Sequence, residues 1–324
     1  MKVVIPGGSG QVGTLLARSF HSDGHDVVVL SRRPAPQPWR VVAWDGRTVG
    51  GWRRDIDGAD VVINLCGQSV NCRYTSANRA AILESRVCST HAVGEAIAAA
   101  AEPPRAWLQS STATIYAHRF DAANDEWTGQ LGGDEPDAPS TWRFSIEVAR
   151  AWEAAFQECS TAHTRKVLMR SAMTLSPDEG GVFDTLASLV RRGLGGRAGH
   201  GRQFMSWIHE YDFTAAVRWL IAHDDVTGAV NLAAPSPITN DEFMQALRDA
   251  CGARFGLPAT QWMLEIGALF MHTETELILK SRRVVPGRLL EGGFRFQFPD
   301  WPEAARELCG RWVAGHRPAR VRAS

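Results

Sequence analysis

Seven residues near the start of the chain, Gly7-Gly8-Ser9-Gly10-Gln11-Val12-Gly13, constrain the fold more than any other stretch. They follow an apolar run, Val3–Pro6, and open a segment with helical spacing, Gln11–Ser22. A strand that turns through regularly spaced glycines into a helix has few uses. In such a turn Gly7 permits the sharp change of direction, Gly10 lets the backbone approach a diphosphate, and Gly13 lets helix and strand pack closely. Gln11 and Val12 open the helix, whose unpaired N–H groups and partial positive charge face the phosphates. A purely structural glycine turn is the alternative. The strand before, the helix after and the position at the N-terminus favour a nucleotide site.

The same strand–helix unit then repeats. Asp26–Leu30 reads as a second strand entered through Asp23-Gly24, Arg40–Trp44 as a weaker third, and Ala59–Cys66 as a strand apolar enough to be buried on both faces. A long helix over about Ser76–Ala101 stops before Pro103-Pro104. Ala106–Ser111 and Lys166–Arg170 read as further strands, with a helix over Thr141–Cys159 between them. This alternation predicts an α/β fold, a Rossmann-type doubly wound parallel sheet. Beyond Ser171 it breaks down. Residues 191–202 read as a loop or hairpin, Trp207–Ile221 and Asn240–Cys251 as helices, and Phe294–Phe298 as an aromatic strand. The expected organisation is a dinucleotide-binding domain over 1–170, with part of 203–235, and a smaller substrate domain over 171–324. The second would cover the C-terminal edge of the sheet, where open α/β sheets hold their ligands. The last eight residues, RPARVRAS, read as a frayed basic tail.

The end of the second strand selects the cofactor. A carboxylate there binds the ribose 2′-hydroxyl of NAD, but this chain has Ser31-Arg32-Arg33. Guanidinium pairs with a 2′-phosphate that a carboxylate would repel, so the expected cofactor is NADP(H). A solvated arginine turn is the alternative. Lys and Arg together number 35, as do Asp and Glu, so the net charge is zero. That balance argues against a nucleic-acid or membrane-surface partner and leaves a small-molecule substrate. The six cysteines include no CxxC pair and no Cys/His cluster with metal-ligand spacing, and they read as reduced thiols. The first residues do not read as a signal peptide, and no run approaches the ~20 apolar residues of a membrane helix. The expected compartment is the cytoplasm.

With these residues in view, the chain resembles the extended short-chain dehydrogenase/reductase superfamily. Within it, the chain is similar to an atypical "epimerase family" branch, nucleoside-diphosphate-sugar-epimerase-like, that ends in a domain of unknown function. The resemblance covers nearly the whole chain. It rests on GGSGQVG, NLCGQSV (64–70), LESRV (83–87), SSTATIY (110–116), LMRSAMTLSPDEGG (168–181), GHGRQFMSWIHEYD (199–212) and RVVPGRLLEGGFRF (283–296). It implies that Asn64, Leu65, Cys66 and Gly67 lie beneath the adenosine, with Arg86 facing the cofactor cleft. It places Ser110, Ser111, Arg170 and Met173 at the nicotinamide end, and Thr112 at the catalytic Ser/Thr position. Arg202, Gln203, Trp207 and His209 match a stretch that approaches the substrate in sugar-nucleotide relatives; packing of a hairpin is the alternative. Such relatives often pair through helices beside the sheet, so a homodimer is a candidate assembly.

One departure matters most. The superfamily uses a Tyr and a Lys four residues apart on one helix, the Lys making the phenol a usable acid near neutral pH. This chain has only Tyr74, Tyr116 and Tyr211, with Lys2, Lys166 and Lys280, and no such pair. Aligned on Glu153, Ser145 and Ala149 stand at the two positions, and a one-residue shift gives Phe144 and Val148. Tyr116, His118 and His209 are the candidate replacements, His because it titrates near neutrality. Three functions stay open: an NADP(H)-dependent oxidoreductase acting on a carbonyl compound, a nucleotide-sugar epimerase, and a non-catalytic NADP(H) redox sensor.

Overall fold

The computed structural model describes residues 1–135, 138–139, 142–260 and 276–316. Its first strand, β1 (Lys2–Pro6), lies inside a sheet between β2 (Asp26–Ser31) and β4 (Val61–Asn64). Successive side chains alternate across a strand, so Val3 and Ile5 enter one core and Val4 the other, all three fully buried. Burial on both faces explains why these strands are apolar throughout. β3 (Arg40–Ala43) closes one edge, while β5 (Ala106–Thr112), β6 (Arg165–Ser171) and β10 (Gly228–Leu232) extend the other. The result is a seven-stranded parallel sheet in the order β3-β2-β1-β4-β5-β6-β10.

Helices cover both faces. α1 (Gln11–Ser22) and α6 (Glu210–Ala222) give Leu16, Phe20, Phe213 and Val217 to one core. The short α2 (Arg53–Ile56), with α3 (Ser76–Ala98) and α4 (Arg143–Glu158), gives Ile56, Val93, Ile97 and Phe156 to the other. Strand order reverses at β1, with β2 on one side and β4 on the other. This leaves a crevice at the C-terminal strand ends, and the loops after β1, β2, β4, β5 and β6 all open there.

A third core lies beyond β6. β7 (Met173–Leu175) pairs with β9 (Trp207–His209), and β8 (Phe204–Met205) pairs with β11 (Ile238–Thr239). Around them α5 (Val182–Arg191), α7 (Asn240–Cys251) and a closing helix, Trp301–Gly315, bury Phe183, Trp207, Phe243, Leu247 and Trp301. Trp301 stacks on Phe243 with centroids 4.0 Å apart and donates from Nε1 to its carbonyl.

Three sequence expectations need correction. Trp207–His209 is a strand, and the helix begins only at Glu210, with His209 as its N-cap. Phe294–Phe298 pairs with no strand among the described residues. The N–H groups of Gln297 and Phe298 donate instead to the two oxygens of Asp212, at 2.7 and 2.9 Å, which satisfies them outside any sheet. The cysteines are not all thiols, because a disulfide joins Cys251 on α7 to Cys309 on the closing helix. The expected tail, 317–324, lies outside the described residues, as does Thr141 at the expected start of the α4 helix.

Candidate functional site

The glycine loop shows three different steric demands. Gly7 has φ +75, and a Cβ there would stand 2.7 Å from Cys66 N at the end of β4. A Cβ on Gly13 would lie 2.4 Å from Gly8 Cα, so the first turn of α1 packs backbone to backbone on the loop. Gly10 is the opposite case: its nearest neighbour would be Gly7 O at 3.8 Å, leaving open space above the helix end. Gly10 is also the N-cap of α1 and no side chain caps the helix, so the first N–H groups lack a side-chain acceptor there. Gln11 Nε2 is buried against Gly181 and has no hydrogen-bond partner among the described residues.

Beside this opening, Ser31 Oγ donates to Ser9 Oγ at 2.9 Å and accepts from Arg33 N at 3.1 Å, which fixes the β2 turn against the glycine loop. Arg32 and Arg33 are exposed, and no carboxylate pairs with either among the described residues. The end of β4 forms the floor. Asn64 Nδ2 donates to Gln109 Oε1 at 2.9 Å, and Asn64 Oδ1 accepts from Cys66 N at 3.1 Å. Burial pushes the Cys66 thiol up to about 12, so it stays protonated. Arg86 lies over Gly67 and donates to the carbonyls of Gln68 and Ile82, and its guanidinium sits 5.0 Å from the Trp152 ring centroid. Burial pulls this cation down to about 10.

At the ends of β5 and β6 the expected residues divide. Arg170 makes a two-pronged ion pair with Glu153 at 2.8 and 2.7 Å, and Ser111 Oγ donates to the same carboxylate at 2.6 Å. Both side chains therefore turn into the sheet–helix junction and shape the site from behind. Ser110 is half-buried at the strand end, as is Met173 two residues after β6. Thr112 Oγ1 accepts from Thr114 N at 3.1 Å and caps a 3-10 turn over Ala113–Ile115.

The candidate proton donors fare poorly. Tyr116 is 2% exposed, donates to Asn231 Oδ1 at 2.9 Å and accepts from Arg170 at 3.0 Å. Its hydroxyl is therefore held inside the core rather than in an open cleft, and burial raises its pKa. His118 is half-buried, and its Nδ1 accepts from Ser281 N at 2.8 Å. Burial and the Lys280 charge lower its pKa, so it rests neutral.

His209 and Trp207, expected near the substrate, are both fully buried. His209 Nδ1 accepts from Tyr211 N, its Nε2 meets Glu307 at 2.9 Å, and its ring stacks on Phe298. Trp207 packs edge-on against Trp301. Trp207 belongs to the third core and His209 stacks on its Phe298, so both side chains are engaged in packing there. Gln203 is likewise buried, holding Ala198 O and Ile278 O, whereas Arg202 is exposed.

The structure instead assembles a polar cluster that the sequence reading did not single out. Ser145 Oγ on α4 donates to Glu276 at 2.5 Å and lies 3.3 Å from the Tyr74 hydroxyl. Arg282 is half-buried beside them, with Nε donating to Thr114 Oγ1 at 3.2 Å. Lys280 Nζ donates to Thr114 O at 2.8 Å, and burial pushes this ammonium down to about 8. The segment 276–282 therefore reaches back onto the loop after β5. Nothing in the local sequence signals that return, although with only three tyrosines in the chain Tyr74 could have been weighed by elimination.

Among the described residues no group of His, Cys, Asp and Glu is placed to hold a metal ion, and no helix is long and apolar enough to cross a membrane. Comparison with known proteins agrees with the fold. The NAD dependent epimerase/dehydratase family model matches residues 3–233, and a domain of unknown function, DUF1731, matches residues 259–308. The chain is similar to the bovine (Bos taurus) epimerase family protein SDR39U1, 32% identical over 312 residues, spanning 95% of this chain and 99% of that protein. It superposes on the crystal structure of human SDR39U1 with NADPH at a TM-score of 0.83 and 30% identity, over 96% of this chain and 99% of that one. A nucleoside-diphosphate sugar epimerase from Corynebacterium glutamicum gives a TM-score of 0.74 at 28% identity, covering 95% of this chain and 58% of that chain. With its parallel sheet, glycine loop and matching C-terminal region, the chain belongs to the NAD dependent epimerase/dehydratase family.

Proposed function

We propose that this protein binds NADP(H) and works as an oxidoreductase on a small carbonyl or alcohol substrate. The observation that carries the reading is the open position above Gly10, at the uncapped start of α1, beside two exposed arginines with no carboxylate partner among the described residues. These residues fit a dinucleotide. The backbone of Gly7–Gly13 would hold the pyrophosphate, and Arg32 with Arg33 the 2′-phosphate. Leu65, Cys66 and Gly67, with Arg86 behind them, would line the adenosine side. Ser110 and Met173 would meet the nicotinamide end, with Ser111, Thr112 and Arg170 fixing its shape. When bound, the cofactor supplies hydride chemistry; the chain orients the two reactants and manages the proton. That a human relative's structure holds NADPH supports the same choice.

Arg202 is the remaining candidate for substrate contact, and a nucleotide sugar is a second substrate class, supported by the similarity to a nucleoside-diphosphate sugar epimerase. The test is to incubate purified protein with NADPH, and separately with NADP⁺, against panels of carbonyls, alcohols and nucleotide sugars while following nicotinamide absorbance. Turnover of any member supports an oxidoreductase. Conversion of a nucleotide sugar with no net change in the nicotinamide would point to an epimerase.

A second reading, a non-catalytic redox sensor, is favoured by one observation. Helix α4 carries neither a Tyr nor a Lys, and Tyr116 is locked in the core. Tight binding that discriminates NADPH from NADP⁺, without turnover on any panel, would support it.

A further inference from the structure

A carbonyl reduced by hydride needs a proton at its oxygen, and the groups first expected to supply one are engaged elsewhere: Tyr116 is sealed in the core, His118 Nδ1 accepts from Ser281 N, and His209 is fully buried against Phe298. The end of β5 nevertheless carries a hydroxyl cluster. Tyr74 sits on the connection from β4 to α3, at the mouth of the crevice, and is half-buried. Its ring packs edge-on against Phe144 at 5.0 Å, and its hydroxyl is 3.3 Å from Ser145 Oγ, which in turn holds Glu276 at 2.5 Å. We propose that Tyr74 is the catalytic proton donor of this site, held by Ser145, which Glu276 holds in turn, and flanked by the half-buried guanidiniums of Arg86 and Arg282. The inference rests on the oxidoreductase reading above and names the residue that completes it.

The electrostatics suit the role. Burial disfavours the charge on Arg86 and Arg282, and a negative charge on Tyr74 would favour both cations. Attraction is mutual, so the same cations favour the phenolate. A third guanidinium, Arg79, stands 5.9 Å from the centre of the Tyr74 ring on the α3 side. The opposing charge is the Glu276 carboxylate, which faces Arg282 as well as Ser145. Among the described residues, guanidiniums from α3 and from the C-terminal segment thus stand opposite the Glu276 carboxylate. In reduction, the carbonyl carbon gains the hydride, the π pair moves to oxygen, and that oxygen takes the Tyr74 proton. The nicotinamide is oxidised, the carbonyl is reduced, and the phenolate regains a proton from solvent.

The test needs no substrate. With three tyrosines in the chain, an ultraviolet titration of tyrosinate absorbance on wild type, minus the same titration on Tyr74→Phe, isolates one phenol. The Phe variant keeps the ring contact with Phe144, and its fold is checked by circular dichroism. The expected result is a phenol ionising about one unit or more below the ~10 of a free tyrosine. It should move up in Arg282→Met and further down in Glu276→Gln. A Tyr74 phenol that ionises at or above ~10, unmoved by Arg282→Met, overturns the proposal. NADPH binding is followed on the same samples by tryptophan quenching. Loss of binding in wild type would refute the cofactor reading, whereas normal binding with an ordinary Tyr74 phenol would refute only this inference.

Discussion

A single methyl group added to each loop glycine in turn should separate what the loop does for folding from what it does for the ligand. In Gly7→Ala the new side chain must adopt a left-handed conformation, φ +75, costing about 1–2 kcal/mol. It also presses to 2.7 Å on the Cys66 backbone, where overpacking costs about 1–3 kcal/mol more because main-chain atoms cannot rotate away. The expected loss is about 2–5 kcal/mol. Gly13→Ala gains helix propensity of about 1 kcal/mol, but its Cβ would meet Gly8 Cα at 2.4 Å, so a net loss of about 1–3 kcal/mol is expected. Gly10→Ala meets nothing closer than 3.8 Å, and its stability should change by less than about 1 kcal/mol, the scale of an N-cap effect. Yet Gly10→Ala should weaken NADPH binding at least about ten-fold, or 1.4 kcal/mol, because its methyl stands where the pyrophosphate must approach. Urea denaturation and tryptophan quenching read the two quantities separately. Unchanged NADPH affinity in Gly10→Ala, or wild-type stability in Gly13→Ala, would refute the steric reasoning.

Other perturbations test the surroundings of the site. Arg170→Leu leaves the Glu153 carboxylate buried without its partner and should cost about 3–5 kcal/mol by urea denaturation, whereas Tyr116→Phe should cost about 1 kcal/mol and leave NADPH affinity intact. Opening the Cys251–Cys309 disulfide frees a loop spanning 58 residues and should lower stability by up to about 4 kcal/mol, seen as a fall in Tm with reductant that Cys309→Ser abolishes. Lys280 is held at about 8 by burial, against 10.5 in the unfolded chain, so the unfolded state binds more protons between those values and stability should rise with pH from ~8 to ~10.5. Lys280→Met should remove that rise and stabilise the protein near neutral pH; denaturation midpoints across the range decide.

What the sequence made legible is what local chemistry dictates. The glycine loop, the apolar strands buried on both faces and the arginines after β2 all lie within a few residues of the structure they specify. The missing Tyr–Lys pair was equally legible, because it could be sought by spacing alone. The failures involve distant partners. Trp207–His209 carries apolar residues that suit a helix as well as a strand, and only pairing with β7 fixes it as a strand. Phe294–Phe298 alternates like a strand, but its N–H groups are claimed by Asp212, far earlier in the chain. Cys251 and Cys309 meet because two helices pack, and Ser145 meets Glu276 because segment 276–282 returns to the end of β5.

The central claim is that Gly10 and the Arg32–Arg33 pair form an NADP(H) site, and calorimetric titration with NADPH and NADH tests it most directly. Wild type should prefer NADPH on the order of a hundred-fold, from two charge-assisted contacts worth about 1.5 kcal/mol each, and Arg32→Ala/Arg33→Ala should abolish the preference while still binding NADH. Equal affinity for the two nucleotides, or no binding of either, would contradict it.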